Sequence, residues 1–338
     1  MLYGKYRFIC RLESEASLPF YKGSTFRGVF GLSLKRVVCA LRLKECPDCI
    51  LRESCLYYSV FESRSGDRDA QKGKAPSPPH PFVIEPPLDG ERKYPTGERF
   101  ECSLILFGET NDKLPYFVYA FEQMGKTGIG GRIKGERGRF TLEEVTADDQ
   151  TIYSGETGKL VKGRCTETLS LAGRQEEKRV RPIIRRGRKL APKSGAVFDT
   201  AGNPLRVRVT LETPLRLKFE NRFTAELPFH VFVWAMLRRV SSLFNTYGGG
   251  EPELDYTGLV KEAQEVRSIE STLRWFDWER YSNRQREKMF MGGLVGHIIY
   301  EGDLAKYLPL MEICSKVHVG KQTTFGMGKI AWKIADAL

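Results

Sequence analysis

The same order of apolar patterns occurs twice along the chain, and this repeat is the strongest constraint on its fold. In the first half, residues 2–13 alternate as a strand and residues 24–43 have the periodicity of a helix with Ser24 as its N-cap. The buried stripe of this helix consists of Phe26, Phe30, Leu34, Val37 and Leu41. Two strands ("PFVIEP", "RFECSLILFG"), a helix ("KLPYFVYAFEQMG") and a strand ("GRFTLEEV") follow. The first half therefore has the order β-α-β-β-α-β.

The second half has the same order. Its first strand is "LRVRVTLETPLRLK", its first helix is "ELPFHVFVWAMLRRVSSLFNTY", and its next two strands are "TLRWFDWERYS" and "EKMFMGGLVGHIIYEG". A helix that starts at Asp303 ("DLAKYLPLMEICSK") and a strand ("TTFGMGKIAWKI") complete the unit. A βαββαβ unit is the ferredoxin-like motif. We therefore predict an α+β fold of two tandem, RRM-like ferredoxin-like domains.

The composition places the domain boundaries. Residues 1–170 form the predicted N-terminal domain, with a cysteine-rich, metal-binding insertion at about 39–60 and a loop at 63–79 that we expect to be mobile because it has little to bury. Residues 171–204 are a basic, proline-containing connector, and residues 205–338 form the C-terminal domain with a glycine-rich loop.

The charge of the chain favours a polyanionic partner. Fifty-four basic and 42 acidic side chains give a net charge of +12, which raises the affinity for nucleic acid through counterion release. No apolar run approaches the ~20 residues of a membrane helix, and the first residues lack the pattern of a secretory signal. We therefore expect a cytoplasmic protein without a membrane partner.

Four of the eight cysteines are clustered as C-x6-C-x2-C-x5-C at Cys39, Cys46, Cys49 and Cys55. Four soft thiolate ligands suit tetrahedral zinc, and a site with four protein ligands is structural rather than catalytic. An iron-sulfur cluster accepts the same ligands, and four free thiols are the other interpretation. We predict structural zinc and no catalytic metal.

Three groups of residues are candidates for RNA binding. The glycine-rich stretch "GKTGIGGRIKGERGRF" could present backbone amides and guanidinium groups to phosphates, although a solvated hairpin is the alternative. The candidate cations are Lys126, Arg132, Lys134, Arg137 and Arg139 in this stretch, Arg27 and Lys35 on the first helix, and Arg185, Arg186 and Arg188 in the connector.

A second glycine-rich stretch, "HVGKQTTFGMGKI", lies near the C-terminus. It does not fit a P-loop, because Gln322 follows Lys321 where Ser or Thr is required. We predict that Gly320, Gly326 and Gly328 let the backbone approach a sugar-phosphate chain, with Lys329 adding charge. The alternative is a tight turn between a helix and a strand.

Among the four histidines, His318 is the best candidate for proton transfer because it lies beside glycines and a lysine. His80, His230 and His297 lie in a proline-rich segment, an apolar helix and an alternating strand, where structural roles are more common.

Several motifs together resemble the CRISPR precursor-RNA processing endoribonucleases of the repeat-associated mysterious protein (RAMP) superfamily. They are "LPFYKGSTFRGVFG", the cysteine cluster, "PHPFVIEPP", "LPYFVYAFEQMG", "WERYSNRQ" and "HVGKQTTFGMG". The resemblance implies two ferredoxin-like domains that bind the CRISPR repeat RNA. It also implies metal-independent cleavage, in which the 2'-hydroxyl attacks the adjacent phosphate and leaves a 2',3'-cyclic phosphate.

The resemblance implies a histidine in the first helix as the base, but this chain has Leu32 after Phe30 and Gly31. We therefore hypothesise that His318 acts as base or acid, with Tyr21, Lys22 and Lys321 in support. The alternative is a non-catalytic subunit that holds guide RNA in a CRISPR effector complex with other subunits. A zinc-stabilised DNA-binding protein is disfavoured, since neither a helix-turn-helix nor a finger spacing ending in histidines is present.

Overall fold

The computed structural model describes residues 1–42, 46–62, 78–161, 165–171, 204–219, 226–282 and 287–335. The predicted loop at 63–79 and the predicted connector at 171–204 lie almost entirely outside these residues, and so do Arg185, Arg186 and Arg188.

The N-terminal domain is built on an antiparallel sheet around strand β1, Leu2–Leu12. The sheet has the order β10-β9-β8-β1-β5-β3, and β11 also pairs with β1. The other strands are β3, Phe82–Glu85; β5, Arg99–Phe107; β8, Phe140–Ala147; β9, Gln150–Ser154; β10, Lys159–Leu160; and β11, Glu167–Thr168. The four strands of the predicted unit are adjacent in the order β8-β1-β5-β3. The predicted ferredoxin-like motif is therefore confirmed.

Two helices cover one face of this sheet. They are α1, Gly23–Val38, and α2, Leu114–Thr127. Of the stripe predicted for α1, Phe26, Phe30 and Leu34 are buried. Val37 is half-buried, and Leu41 lies beyond the end of the helix. Helix α1 begins after Lys22 rather than at Ser24, and it ends five residues earlier than predicted. Pro115 lies in the first turn of α2, where the amide hydrogen that proline lacks would have no partner within the helix.

A small second sheet lies beside α1. Its order is β4-β2-β6-β7, formed by β2, Ala16–Ser17; β4, Lys93–Tyr94; β6, Ile129–Ile133; and β7, Glu136–Gly138. The first glycine-rich stretch forms the β6–β7 hairpin, with Gly128 and Gly130 at positive φ of 78° and 81°. A Cβ at Gly130 would lie 2.2 Å from the Ser17 carbonyl oxygen, so this glycine is required by close backbone packing.

The C-terminal domain repeats the architecture in the order β13-β15-β12-β16. Its elements are β12, Leu205–Leu215; α3, Phe229–Tyr247; α4, Tyr256–Glu262; β13, Arg267–Ser271; β14, Arg274–Ser282; β15, Glu287–Gly302; α5, Leu308–Val317; and β16, Ile330–Ile334.

Three boundaries of this domain differ from the predictions. The edge strand of the four-stranded unit is β13, whereas the predicted strand "TLRWFDWERYS" forms β14, which pairs with the first half of β15 as a long hairpin. Helix α5 begins at Leu308, because a short 3-10 turn occupies 305–307. The last strand begins at Ile330, because residues 323–325 form another 3-10 turn.

Part of the second face of the N-terminal sheet is also buried, and this joins the two domains. Alternate side chains of β5 point in opposite directions: Leu104 and Leu106 pack in the N-terminal core, whereas Ile105 and Phe107 pack in the core of the C-terminal domain. Val83 and Tyr3 also belong to the C-terminal core. The domains are therefore packed through a continuous apolar contact.

Candidate nucleic-acid interface at the domain junction

The glycine-rich loop, residues 318–329, connects α5 to β16 and lies against the N-terminal domain. Gly320, Gly326 and Gly328 have positive φ of 86°, 79° and 74°. A Cβ at Gly328 would lie 1.8 Å from the Val319 carbonyl oxygen, and one at Gly326 would lie 2.5 Å from the Ile84 carbonyl oxygen. These glycines therefore let the loop pack on protein backbone, within its own turn and on β3.

The start of α1 contacts the same loop. The Tyr21 hydroxyl donates a hydrogen bond of 2.8 Å to the Phe325 carbonyl oxygen, and Arg27 Nε donates one of 3.0 Å to Thr324 Oγ1. The guanidinium of Arg27 also lies over the rings of Phe61 and Phe325. A Cβ at Gly23 would lie 1.9 Å from the Phe325 carbonyl oxygen. The first helix and the last loop of the chain thus form one structural unit.

His318 is fully buried in this unit. Its Nδ1 lies 3.0 Å from the Met327 carbonyl oxygen, and its Nε2 lies 3.0 Å from Glu85 Oε1. A carbonyl and a carboxylate are both acceptors, so the two bonds are made together when both ring nitrogens carry a proton. The ring therefore bridges the glycine-rich loop and strand β3.

Two lysines complete the ion cluster around Glu85. Lys5 Nζ lies 2.7 Å from Glu85 Oε2, and Lys329 Nζ lies 3.5 Å from Glu85 Oε1 and 3.2 Å from Glu212 Oε2. Burial by itself would raise the pKa of Glu85, but the hydrogen bond and charge of His318, together with both lysines, hold this pKa well below its usual range. Burial lowers the pKa of Lys329, and Glu85 and Glu212 more than reverse this, so that pKa is raised.

Lys22 belongs to a separate cluster, in which the lysine is buried and its carboxylate partner Asp89 is exposed. Its ammonium lies 2.9 Å from Asp89 Oδ1, and the Tyr94 hydroxyl donates to both oxygens of the same carboxylate. The Lys22 side chain has no exposed surface. In this arrangement its charge compensates Asp89 and does not reach a phosphate at the surface.

The four predicted catalytic residues therefore differ in their exposure to solvent. His318, Tyr21 and Lys22 are buried and bonded to protein groups, whereas Lys321 is exposed. Burial and the charge of Glu85 raise the pKa of Tyr21 well above its usual range. None of the three buried groups presents a proton-transfer atom to solvent here, and their catalytic roles stay predictions.

The predicted RNA-binding residues of the β6–β7 region are more accessible. Lys126, Arg132, Lys134 and Arg139 are exposed, and Arg137 is half-buried. On α1, the Lys35 ammonium lies 5.4 Å from the ring centre of Tyr57. Leu32 is also exposed on α1, with half of its surface accessible. Positive side chains thus flank the exposed surface of the first helix, as expected for a phosphate-binding face.

Sequence reasoning missed the acidic partners at the junction. Glu85 lies in the quoted motif "PHPFVIEPP", yet nothing in its local pattern indicates a partner 233 residues away. A glutamate in an otherwise apolar strand needs a cation when it is buried. The position of Glu85 within "PFVIEP" is therefore the signal that could have indicated a buried ion pair.

The clustered cysteines lie at the end of α1 and in the segment after it. Cys39, Cys49 and Cys55 line one surface cavity of about 330 Å³, and all four cysteines of the cluster are free and half-buried. Within the described ranges, no group of three or more His, Cys, Asp or Glu side chains is already arranged to hold a metal ion.

The described residues thus form tandem ferredoxin-like domains joined at a glycine-rich loop. Residues 209–330 match the family model of CRISPR-associated endoribonuclease Cas6, and residues 1–165 match the model of an N-terminal domain named AF_1859_N. These findings confirm the resemblance to the CRISPR-associated RAMP-type endoribonucleases.

The chain is also similar to individual proteins. A curated, uncharacterized protein of Archaeoglobus fulgidus is 26% identical over 313 residues, which cover 92% of this chain and 91% of that protein. Among solved structures, a Cas6 product complex is 14% identical with a TM-score of 0.52 and covers 97% of this chain and 100% of that chain. This Cas6 is from Thermus thermophilus.

A partial complex described as Cas6-RT-Cas1–Cas2 also has a TM-score of 0.52 and is 14% identical. It covers 99% of this chain, which spans 46% of the length of that one. At these identities the solved structures establish the fold. None of the described helices is long and apolar enough to cross a membrane.

Proposed function

We propose that this protein binds CRISPR repeat RNA and cleaves precursor transcripts into guide RNAs. The observation that carries the proposal is the match of residues 209–330 to the Cas6 family, because that range contains most of β12, the helices of the C-terminal domain and the whole glycine-rich loop. The net charge of +12 and the exposed cations beside α1 support binding of a polyanion.

The proposed reaction is metal-independent attack of a 2'-hydroxyl on the adjacent phosphate, giving a 2',3'-cyclic phosphate and a 5'-hydroxyl. It needs a base, an acid and a cation near the phosphorane. Lys321 is the predicted catalytic residue that is exposed, and it supplies the cation. Tyr21 and His318 could act directly once the loop moves away from α1, and in the closed junction they hold that loop in place.

A deoxy-substitution assay tests the proposal. End-labelled repeat RNA from the host is incubated with the protein in EDTA, beside the same RNA with a single 2'-deoxy sugar at each candidate site. We expect one cut that persists with the chelator, disappears with one substitution and leaves a cyclic phosphate. Cleavage that needs a divalent ion, or that persists with every substitution, would contradict the proposed reaction.

A second function, a non-catalytic subunit that holds guide RNA, is favoured by a specific observation. Leu32 occupies the exposed helix position where the resemblance implies a histidine, and His318, Tyr21 and Lys22 are buried. In the same assay this function gives tight binding of repeat RNA without product. Binding of duplex DNA of the same sequence with equal affinity would instead contradict both RNA functions.

The cysteine cluster supports structural zinc as a further part of the proposal. Cys39, Cys49 and Cys55 line one cavity, and Cys46 lies close enough to Cys39 for the two thiols to interact electrostatically. These four thiolates would hold the ion, which would stabilise a segment with little core of its own. The ion takes no part in the proposed reaction.

Assembly with other CRISPR proteins is also part of the proposal. Its support is that solved complexes with this fold contain Cas6 together with Cas1 and Cas2. Co-purification from the host with a tagged copy of this chain tests it.

A further inference from the structure

A basic groove runs along α3 on the helical side of the C-terminal domain, away from the β6–β7 region. One part is a cavity of about 590 Å³, bounded by α3, the segment after β12, the glycine-rich loop and Pro78–Pro79 of the N-terminal domain. A neighbouring cavity of about 470 Å³ lies between α3 and α4. Trp234, Arg238 and Ser241 line both cavities, so the two form one continuous groove. We call it the α3 groove.

The α3 groove is strongly positive. Its larger cavity is lined by five cationic side chains and one acidic side chain, Glu251. The cations are Arg216, Lys218, Arg238, Arg239 and Lys321.

Two of these arginines have structural contacts. Arg239 is buried and donates to the Val317 carbonyl oxygen, and Arg216 Nη1 donates to the Gly292 carbonyl oxygen at 3.1 Å. Lys218, Arg238 and Lys321 are half-buried or exposed, so their charges face the groove and the solvent.

An aromatic ring lies where the two cavities meet. Trp234 is half-buried, and the Arg238 guanidinium lies 5.4 Å from its ring centre. Phe219 packs edge-on against Trp234 with the ring centres 6.2 Å apart. An indole beside several cations offers a stacking surface for a base and charges for the adjacent phosphates.

We propose that the α3 groove binds an unpaired segment of the RNA substrate, with a base stacked on Trp234 and the adjacent phosphates on Lys218, Arg238 and Lys321. The inference rests on the proposed RNA function and adds a second contact region to it. Lys321 belongs to both the groove and the glycine-rich loop, so a strand that leaves the loop can continue into the groove.

The chemistry favours single-stranded RNA over other occupants. The base faces in a duplex are covered by their neighbours, whereas an unpaired base can enter a cavity of this size and stack on an aromatic ring. The excess of cations in the groove disfavours a basic peptide.

Fluorescence anisotropy with the full-length protein tests the inference. The probes are host repeat RNA with its unpaired flanks and a short labelled oligouridylate, each titrated at several salt concentrations. The variants are Trp234→Leu, Trp234→Phe, Arg238→Gln and Lys218→Gln, and Lys113→Gln is the matched control because Lys113 is an exposed lysine of the N-terminal domain.

We expect Trp234→Leu to weaken oligouridylate binding by about 5- to 150-fold, the range for loss of one stacked base, and Trp234→Phe to weaken it much less. Arg238→Gln and Lys218→Gln should each lower the salt slope by about 0.7. Lys113→Gln should match the wild type in both measurements.

The outcomes separate this inference from the proposed function. If the wild type does not bind repeat RNA, the proposed function fails and the inference fails with it. If the wild type binds both probes but Trp234→Leu, Arg238→Gln and Lys218→Gln change neither affinity nor salt slope, the inference alone is overturned. Thermal unfolding of each variant checks folding. If Trp234→Leu does not fold, the salt slopes of Arg238→Gln and Lys218→Gln decide the question.

Discussion

Glu85 on strand β3 and His318 at the end of α5 are 233 residues apart in the chain, and Glu85 Oε1 lies 3.0 Å from His318 Nε2. The contact ties the N-terminal sheet to the glycine-rich loop of the C-terminal domain. Because both side chains are buried, the pair is a structural element of the domain junction, and its properties can be measured as stability.

We expect His318→Ala to destabilise the protein by about 1.5–3 kcal/mol, because Glu85 loses one buried hydrogen-bond partner while Lys5 and Lys329 still pair with it. The measurement is urea unfolding, and His297→Ala is the matched control since His297 pairs with Glu270 at a more exposed position. Cleavage of repeat RNA is assayed below the unfolding range. If His318→Ala keeps wild-type stability and loses cleavage, His318 is a catalytic group and its structural role is refuted.

The Glu85 cluster also predicts a pH dependence. Folding lowers the pKa of Glu85 from its usual value of 4.5. Below that value the unfolded chain binds a proton that the folded chain does not, so stability falls with decreasing pH, by up to about 1.4 kcal/mol per pH unit from this group. Above that value the contribution is fully present.

Urea unfolding of the wild type and of Glu85→Gln between about pH 3 and about pH 6 measures this contribution. The stability difference between the two proteins should narrow as the pH falls below 4.5. A difference that stays constant across this range would show that Glu85 has an unperturbed pKa in the folded protein.

Gly326→Ala should both destabilise the loop and weaken RNA binding. The residue has a φ of 79°, and a Cβ would lie 2.5 Å from the Ile84 carbonyl oxygen. Gly249→Ala is the control for backbone strain alone, since Gly249 has a φ of 85° with no heavy atom within 4 Å of its Cβ position.

We expect Gly326→Ala to lower the free energy of unfolding by about 1–3 kcal/mol more than the control does. Thermal unfolding measures the loss of stability, and a binding titration with repeat RNA measures the loss of affinity. Equal costs at the two glycines would mean that the loop can move away from β3 freely.

The cysteine cluster predicts a bound metal. Protein purified without chelator should contain about one zinc per chain by elemental analysis. Cys49→Ser and Cys55→Ser should lose it and unfold at lower temperature, whereas Cys165→Ser, outside the cluster, should keep it. Iron with acid-labile sulfide in place of zinc would identify a cluster, and wild-type protein free of any metal would refute the site.

The apolar patterns of the sequence were sufficient to predict most of the fold. The buried residues of strand β1 alternate, and those of helix α1 recur every three to four residues, as the sequence predicts. The sheet order β8-β1-β5-β3 is the one that places both helices on the same face. Strand β13 was missed because it is short, polar and exposed at a sheet edge, so its sequence carries no periodic signal.

The sequence by itself determined the tandem α+β architecture, the basic character and the turn at the glycine-rich loop, since these depend on local pattern and composition. Only the tertiary structure decided what that loop contacts. The loop packs on Ile84 and on the start of α1, and His318 is buried against Glu85. Such contacts join residues distant in the chain, and their burial depends on how the two domains pack, which no local pattern records.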